Sequence, residues 1–253
     1  MFTEDIKILF NHGKQFIPDV TKATLAAPFR GRPEISTEKV DEAALINCCP
    51  TDAITAKPVA INLAKCTFCG ECAMAFPSKV KFTNDHKIAT NDLKSLVITE
   101  GATAPIVLNP ALIREEIKSI FGRSLKLRQV SAGGDNSTEQ ELGATGNVNF
   151  DVGRYGIEFV ASPRHADGIV ITGAISANMA QAVKTAYEAI PNPKMVILAG
   201  VDALSGGIFS GSPALNRSFL NEVPIDLYIP GNPPHPLTII NGILELTRTK
   251  YRR

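Results

Sequence analysis

The sequence predicts an α/β protein in which a doubly wound parallel sheet occupies the C-terminal half and a small cysteine-containing region precedes it. Two observations support this prediction. After position 125, short and continuous β-branched runs alternate with helical segments, a pattern typical of parallel sheets that are covered on both faces. All five cysteines lie between positions 48 and 72, and none occurs elsewhere in the chain.

The cysteine-containing region has short predicted elements. Residues 37–50 (TEKVDEAALINCCP) predict a helical turn, and 53–66 (AITAKPVAINLAKC) a short hairpin. Residues 66–77 (CTFCGECAMAFP) predict a loop that leads into a second helix. A connector follows, in which 110–125 carries apolar residues at helical spacing. Because no long apolar helix is present before the connector, we expect this region to have little core without a metal centre.

The C-terminal half contains the elements of the predicted sheet. The predicted strands are 125–134 (LKLRQVSAGG), 165–173 (HADGIVITG), 195–200 (MVILAG) and 225–231 (IDLYIPG), and the predicted helices are 178–190 (NMAQAVKTAYEAI) and 237–248 (LTIINGILELTR). In a parallel sheet the functional site lies where the strands end. Those ends carry 131–138 (SAGGDNST), 198–207 (LAGVDALSGG) and 229–236 (IPGNPPHP).

Composition excludes several classes of function. The net charge is +1 and no long basic run is present, so a nucleic-acid partner is not expected. The N-terminus has no continuous apolar segment of the kind that a secretory signal needs. No stretch approaches the roughly 18 consecutive apolar residues of a membrane span. We expect a soluble, cytoplasmic protein that can still dock on a membrane partner.

The cysteine spacing predicts one [4Fe–4S] cluster. Cys66, Cys69 and Cys72 form a C-x2-C-x2-C run, and Cys49 is followed by proline, as in the iron–sulfur pattern C-x2-C-x2-C-x3-C-P. A structural zinc site with the same four thiolates is the alternative, but three closely spaced ligands crowd a tetrahedron. Cys48 is expected to be a small buried hydrophobic residue.

The positions that lack a cysteine all belong to the same one of two clusters. In the two-cluster pattern the fourth cysteine of each run serves the other cluster. One cluster would need the positions of Lys39, Glu42, Leu45 and Phe76, and none of these is a cysteine. The other cluster keeps all four of its ligands. This partition favours one retained iron–sulfur site.

Two stretches resemble known families. PFRGRPEI (28–35), together with the cysteine runs, resembles the ferredoxin-like subunit of energy-converting hydrogenases and respiratory complex I. Residues 125–248 resemble the small subunit of membrane-bound nickel–iron hydrogenases, which is related to the 20 kDa subunit of complex I. The chain therefore resembles a fusion of two electron-carrying subunits. The resemblance implies a ferredoxin-like iron–sulfur region over 1–90, a connector with a helix over 91–124 and a flavodoxin-like domain over 125–253.

The second resemblance departs from its family at one site. The family holds a cluster through four cysteines, and the corresponding positions here are Asp135, Thr138, Asp202 and Asn232. We therefore expect the second family cluster site to be empty, with small polar residues in its cleft. A hard-cation site is the alternative, because carboxylate, amide and hydroxyl oxygens suit Mg²⁺ or Ca²⁺. Replacement of the cysteines by design is a further explanation of this departure.

The resemblance also implies roles for residues near this site. Glu139 matches the family's acidic residue and would serve proton transfer if a hydrogenase-like partner is present. Arg164 and His165 would lie at the interface with the large subunit, near the quinone-reactive region of complex I. Alternatively, Arg164 and His165 belong to a surface turn, where they cap a helix or form an ion pair.

The combined expectation is an electron-transfer subunit with one [4Fe–4S] cluster and no catalytic residues of its own. Its implied partner is a large subunit of the nickel–iron hydrogenase or complex I 49 kDa type, which would connect it indirectly to membrane-embedded subunits. The complex would be of the hydrogenase or NADH:quinone oxidoreductase type, on the cytoplasmic face of the membrane. The alternative is a structural or assembly subunit whose C-terminal domain only scaffolds the large subunit.

Overall fold

A computed structural model describes residues 2–13 and 15–248. Met1, Lys14 and residues 249–253, which belong to the two predicted domains, lie outside the described residues. Within the described part of the chain, none of the helices has the length and apolar character needed to cross a membrane.

The elements are short before the connector and longer after it. The strands are β1 (Pro33–Ile35), β2 (Ile54–Thr55), β3 (Ala60–Asn62), β4 (Val80–Phe82), β5 (Val97–Thr99), β6 (Leu125–Ser131), β7 (Ile157–Phe159), β8 (Gly168–Thr172), β9 (Met195–Ala199) and β10 (Leu227–Ile229). The α-helices are α1 (Phe2–His12), α2 (Glu42–Asn47), α3 (Glu71–Ala75), α4 (Glu115–Ile120), α5 (Ser137–Ala144), α6 (Ala177–Ala189), α7 (Val201–Ser205) and α8 (Pro236–Thr247).

The C-terminal half forms a five-stranded parallel sheet in the order β10-β9-β8-β6-β7. Every residue of β8 and β9 is buried, which explains why these strands consist of continuous apolar runs. Ile171 joins the apolar cluster that contains Val183 of α6, whereas its neighbour Val170 joins the cluster that contains Leu244 of α8. Because alternate residues of a strand face opposite sides, helices cover both faces of the sheet. The predicted doubly wound α/β fold is confirmed.

The N-terminal elements form two small antiparallel sheets. β1 pairs with β4, and the hairpin of β2 and β3 is extended by β5. The hairpin and both short helices lie where the sequence predicts them. Along the chain a strand, a helix and a strand follow one another twice (β1-α2-β2 and β3-α3-β4), and the two halves are joined through the antiparallel pairs β1–β4 and β2–β3.

Apolar packing links the N-terminal elements to the C-terminal sheet. One cluster of buried side chains runs from Leu45 and Ile61 to Ile171 and Val183. The backbone of Thr90 also exchanges two hydrogen bonds with Tyr228 of the edge strand β10 (2.8 and 3.0 Å). This bridge covers part of a sheet edge that would otherwise be free to pair with another chain. The division into residues 1–90, 91–124 and 125–253 stays a prediction.

A partly buried ion pair joins the two small sheets. Lys79, just before β4, has a side chain that is 3% exposed, and it pairs with Glu100, just after β5. The hydrogen bond from Lys79 holds the pKa of Glu100 below its ordinary value of 4.5, although burial opposes this shift. The lowered pKa means that the pair stabilises the fold above about pH 4.5 and that this contribution disappears as the pH falls through the folded-state pKa.

We therefore expect Glu100→Gln to lower the free energy of unfolding at pH 7 and to have progressively less effect below pH 4.5. Urea unfolding of both proteins across this pH range measures the difference. Glu34→Gln, on the exposed side of β1, is the matched control and should change little at any pH. An effect of Glu100→Gln that stays constant down to about pH 3 would contradict the assignment.

Candidate functional site

The cysteines converge on one pocket in the N-terminal region. Cys49 follows α2, Cys66 and Cys69 lie in the loop after β3, and Cys72 lies in the first turn of α3. The pocket is lined by Cys48, Cys49, Ala53, Ile54, Ile61, Cys66, Thr67, Cys69, Gly70, Glu71, Cys72 and Phe82. The five thiols are free, so no disulfide joins them.

Hydrogen bonds distinguish Cys48 from its neighbours. The Sγ of Cys49 accepts the backbone N–H of Ala53, and that of Cys66 accepts the N–H of Phe68, both at 3.3 Å. The thiol of Cys48 instead donates to the carbonyl of Leu45 at 3.0 Å. A sulfur that accepts N–H bonds suits the electron-rich thiolate of a metal centre, whereas a donating sulfur must keep its proton.

Burial makes the free thiolates unfavourable. It raises the pKa of Cys66 and of Cys72 to about 12, and the neighbouring cysteines add to both shifts. Burial also raises the pKa of Cys48. At neutral pH these groups are therefore protonated unless a positive centre replaces the protons. Four thiols in one largely apolar pocket, with N–H donors at two sulfurs, are a donor set that fits an iron–sulfur cluster.

The described side chains do not form a site for a single metal ion. Over residues 2–13 and 15–248, no group of three or more His, Cys, Asp and Glu side chains could hold one metal ion. The assignment of Cys49, Cys66, Cys69 and Cys72 to a [4Fe–4S] cluster thus stays a prediction.

The four positions predicted for the other ferredoxin-type cluster hold two apolar and two charged side chains. Leu45 is fully buried, and Phe76 packs against the same apolar cluster. Glu42 is half-buried and Lys39 is exposed. The two innermost positions therefore contribute to packing.

The ends of the parallel strands bring a second group of polar residues together. Glu139, in α5, accepts hydrogen bonds from Ser131 at the end of β6 and from Thr172 at the end of β8, both at 2.6 Å. Thr172 is fully buried, so Glu139 fastens the start of α5 to two strand ends. Both hydroxyls donate to the same oxygen, Oε1, and together they hold the carboxylate in one orientation.

Asp202 is a partly buried carboxylate at this edge. Burial raises its pKa, the charges of Asp135 and Glu139 raise it further, and Arg217 opposes the shift. The structure thus places Asp135, Asp202 and Glu139 near one another. Asp135 differs from Asp202, because hydrogen bonds from the hydroxyl and N–H of Ser137 (2.6 and 2.9 Å) lower its pKa.

Thr138 and Asn232 complete the four predicted positions. Thr138 is buried against Gly200, where a Cβ would lie only 2.5 Å from the Thr138 hydroxyl oxygen; Gly200 also has φ +88°. A side chain at position 200 is therefore disfavoured by space and by backbone conformation. Asn232 is exposed after Gly231, whose carbonyl accepts the N–H of Val201 at 2.8 Å. The four positions thus lie along one edge of the sheet, around the start of α7.

Arg164 and His165 lie elsewhere. Both are exposed in a 3-10 turn (Pro163–His165) that precedes β8, whereas Glu139 contacts the end of that strand. The structure does not bring them into the group around Asp202.

Arg217 belongs to this edge although sequence reasoning missed it. Its guanidinium donates to the carbonyls of Ala174, Asp202, Ala203 and Leu204 at 2.7 to 3.1 Å. It thereby satisfies carbonyls at the end of the short helix α7. No sequence signal identifies it, because all four partners are backbone groups.

We expect Asp202→Asn to stabilise the isolated chain at pH 7. A carboxyl whose folded pKa is raised favours folding at low pH and loses that contribution as the pH rises through the folded-state pKa. The neutral amide removes this loss and the repulsion from Asp135 and Glu139. Urea unfolding at pH 7 should show a higher free energy of unfolding for the variant, and the difference should shrink at about pH 3.5. A less stable variant at pH 7 would contradict this prediction.

Comparison with known proteins shows which family the C-terminal half of the chain resembles. The family model described as NADH ubiquinone oxidoreductase, 20 Kd subunit, matches residues 136–246. The probable membrane-bound hydrogenase subunit mbhJ of Pyrococcus furiosus is 34% identical over 129 residues, which are 51% of this chain and 77% of that protein. The chain belongs to the 20 kDa subunit family.

A further relative and a chain of one solved structure match a somewhat shorter part of this chain. An NADH-quinone oxidoreductase subunit from Citrifermentans bemidjiense is 42% identical over 106 residues, covering 42% of this chain and 62% of that protein. A chain in the structure of the membrane-bound sulfane sulfur reductase, an archaeal respiratory membrane complex, matches with 28% identity and a TM-score of 0.44. That match covers 49% of this chain and 69% of the other.

Proposed function

We propose that the chain is an electron-transfer subunit that carries one [4Fe–4S] cluster, ligated by Cys49, Cys66, Cys69 and Cys72. The observation that carries the proposal is the convergence of these four thiols on one pocket while the Cys48 thiol donates to a carbonyl. When bound, such a cluster accepts and releases single electrons.

The chain's own groups would set the properties of this centre. The N–H groups of Ala53 and Phe68 donate to Cys49 and Cys66, and hydrogen bonds to sulfur are one determinant of cluster potential. Cys66 and Cys72 are buried, whereas Cys69 is exposed and leaves one side open for electron exchange. The repeated strand-helix-strand order around the cysteines, with its antiparallel β1–β4 and β2–β3 pairs, supports a ferredoxin-like region over residues 1–90.

We further propose that the chain works in a membrane-associated complex of the hydrogenase or NADH:quinone oxidoreductase type. The names of its relatives, one from a membrane-bound hydrogenase and one from a quinone oxidoreductase, support this assignment. The partner would be a large subunit of the nickel–iron hydrogenase or 49 kDa type, on the cytoplasmic face. Glu139 would be a proton-transfer group in that complex, and Arg164 with His165 would contribute to an interface.

A structural or assembly role is the second candidate. Asp135, Thr138, Asp202 and Asn232 carry no thiol, so the second family site lacks the ligands that an iron–sulfur cluster prefers. A relay that ends at the N-terminal cluster would leave the C-terminal domain as a scaffold. Reduction of the cluster by a physiological donor within the assembled complex separates the two, because a pure scaffold would show none.

Iron and sulfide determination with low-temperature EPR on the anaerobically purified chain tests the proposal. We expect about four irons and four sulfides per chain, as one [4Fe–4S] cluster requires. About eight irons would contradict the empty second site. One zinc per chain without sulfide would contradict the cluster and support the structural zinc site instead.

A further inference from the structure

A second pocket lies between the cysteine loop and the loop that follows β10. Its volume is about 150 Å³, well above what a single water molecule needs. It is lined by Pro28, Phe29, Arg30, Phe68, Ile88, Pro230, Gly231, Asn232, Pro233, Pro234, His235 and Thr238. This lining contains one cation and no carboxylate.

Arg30 supplies the charge of this pocket. Its Nη1 donates to the carbonyl of Phe68 at 3.0 Å, and its guanidinium lies over Gly70, where a Cβ would be 2.9 Å from Nε. These contacts fix the guanidinium beside the cysteine loop. Among the described residues Arg30 forms no ion pair within 4.0 Å, so its charge is not neutralised by a carboxylate.

His235 presents a neutral donor. Its ring packs edge-on against Phe29 and Phe150, with centroids 5.6 and 5.7 Å away. The Nδ1 atom accepts the N–H of Leu237 at 3.1 Å, and burial lowers the pKa of the ring. A neutral imidazole whose Nδ1 accepts a hydrogen bond carries its proton on Nε2.

Thr238 provides an independent indication that something polar belongs here. The residue is 1% exposed, and its hydroxyl oxygen is buried without a hydrogen-bond partner among the described residues. Buried hydroxyls nearly always have a partner, so an orphan in a pocket lining indicates a water, ion or ligand. Thr238 also lies in the first turn of the twelve-residue helix α8, where the helix dipole favours negative charge.

We propose that this pocket binds a small oxyanion, of the size of inorganic phosphate or a short carboxylate. Arg30 would provide the charge, His235 and Thr238 neutral hydrogen bonds, and the prolines and aromatic rings the walls. Since Arg30 holds the Phe68 carbonyl and the Phe68 N–H donates to Cys66, an anion here would contact the segment that positions a predicted cluster ligand. The proposal does not depend on the cluster, because its donors are protein groups.

Calorimetric titration of the full chain with inorganic phosphate, and separately with acetate, tests the site at constant ionic strength. We expect saturable binding of one anion per chain and at least about tenfold weaker binding in Arg30→Met, as loss of a charged hydrogen bond implies. Arg123→Met is the matched control, because Arg123 is exposed before β6, and it should bind as the parent does. Iron content measured on each sample separates this result from the fate of the cluster proposal.

Thr238→Val keeps the size of the side chain and removes the orphan hydroxyl. We expect this variant to bind the anion more weakly while it unfolds no more easily than the parent. Three results would overturn the proposal: no saturable binding of either anion, equal affinities in Arg30→Met and Arg123→Met, or unchanged affinity in Thr238→Val. The last result would mean that the hydroxyl contacts a water molecule only.

Discussion

Replacing Cys66 by serine is expected to abolish most of the iron and sulfide that the chain binds. The Cys66 sulfur is buried, and it accepts the N–H of Phe68 inside the pocket. Serine oxygen is a poor ligand for iron–sulfur clusters, which prefer thiolate. The remaining thiol of the pocket, Cys48, donates to the carbonyl of Leu45. We therefore expect iron and sulfide contents well below half of the parent values.

Cys48→Ser is the matched control for this experiment. It makes the same chemical change one residue before Cys49, but the Cys48 thiol donates to Leu45 and would not be a ligand. Iron, sulfide and the EPR signal should therefore stay at the parent level. A full cluster in Cys66→Ser, or its loss in Cys48→Ser with Cys66→Ser unaffected, would refute the ligand assignment. Far-ultraviolet circular dichroism of both variants checks that the fold is retained.

The parallel sheet could be predicted because its signal is local and strong. The runs around β8 and β9 are apolar at nearly every position, since both faces of those strands are covered. Parallel strands also end at one edge, so the meeting of Ser131, Thr172 and the start of α7 follows from topology alone.

Weaker local signals explain why β7 and α5 are not among the elements that the sequence predicts. β7 has three residues and lies at the sheet edge, which is too short for a periodic pattern. The helix α5 is polar and ends near glycines, so its sequence resembles a glycine-rich loop. Its position is set by the Glu139 contacts with Ser131 and Thr172, which are outside the helix.

The two predicted cluster sites that carry no cysteine differ in a way that only the structure shows. In the N-terminal one, the apolar residues Leu45 and Phe76 pack into the core. In the C-terminal one, Asp202 is partly buried beside other carboxylates, which its raised pKa reflects. Apolar filling is a stable end state, whereas a cluster of like charges gains nothing for folding.

A second large effect, on the free energy of unfolding, is expected when the ion pair between Arg114 and Asp226 is broken. This pair attaches the connector (91–124) to the sheet. Asp226, just before β10, accepts two hydrogen bonds from Arg114, at the start of α4, at 2.8 and 2.9 Å. It also accepts the N–H of Val196 at 2.9 Å, and Arg114 donates to the carbonyl of Lys194. The Asp226 side chain is only 4% exposed, so its charge depends on this partner.

Arg114→Met should lower the free energy of unfolding by about 3 kcal/mol or more, because it leaves a buried carboxylate without its counter-charge. Adding Asp226→Asn should recover part of this loss, since the double variant has no uncompensated charge. Lys184→Met breaks an exposed pair with Glu222 and should change stability little. Urea unfolding at pH 7 measures all three. If Arg114→Met were as stable as Lys184→Met, the connector would not depend on this pair, and the apolar contacts of Ile117 and Phe121 would be its main attachment.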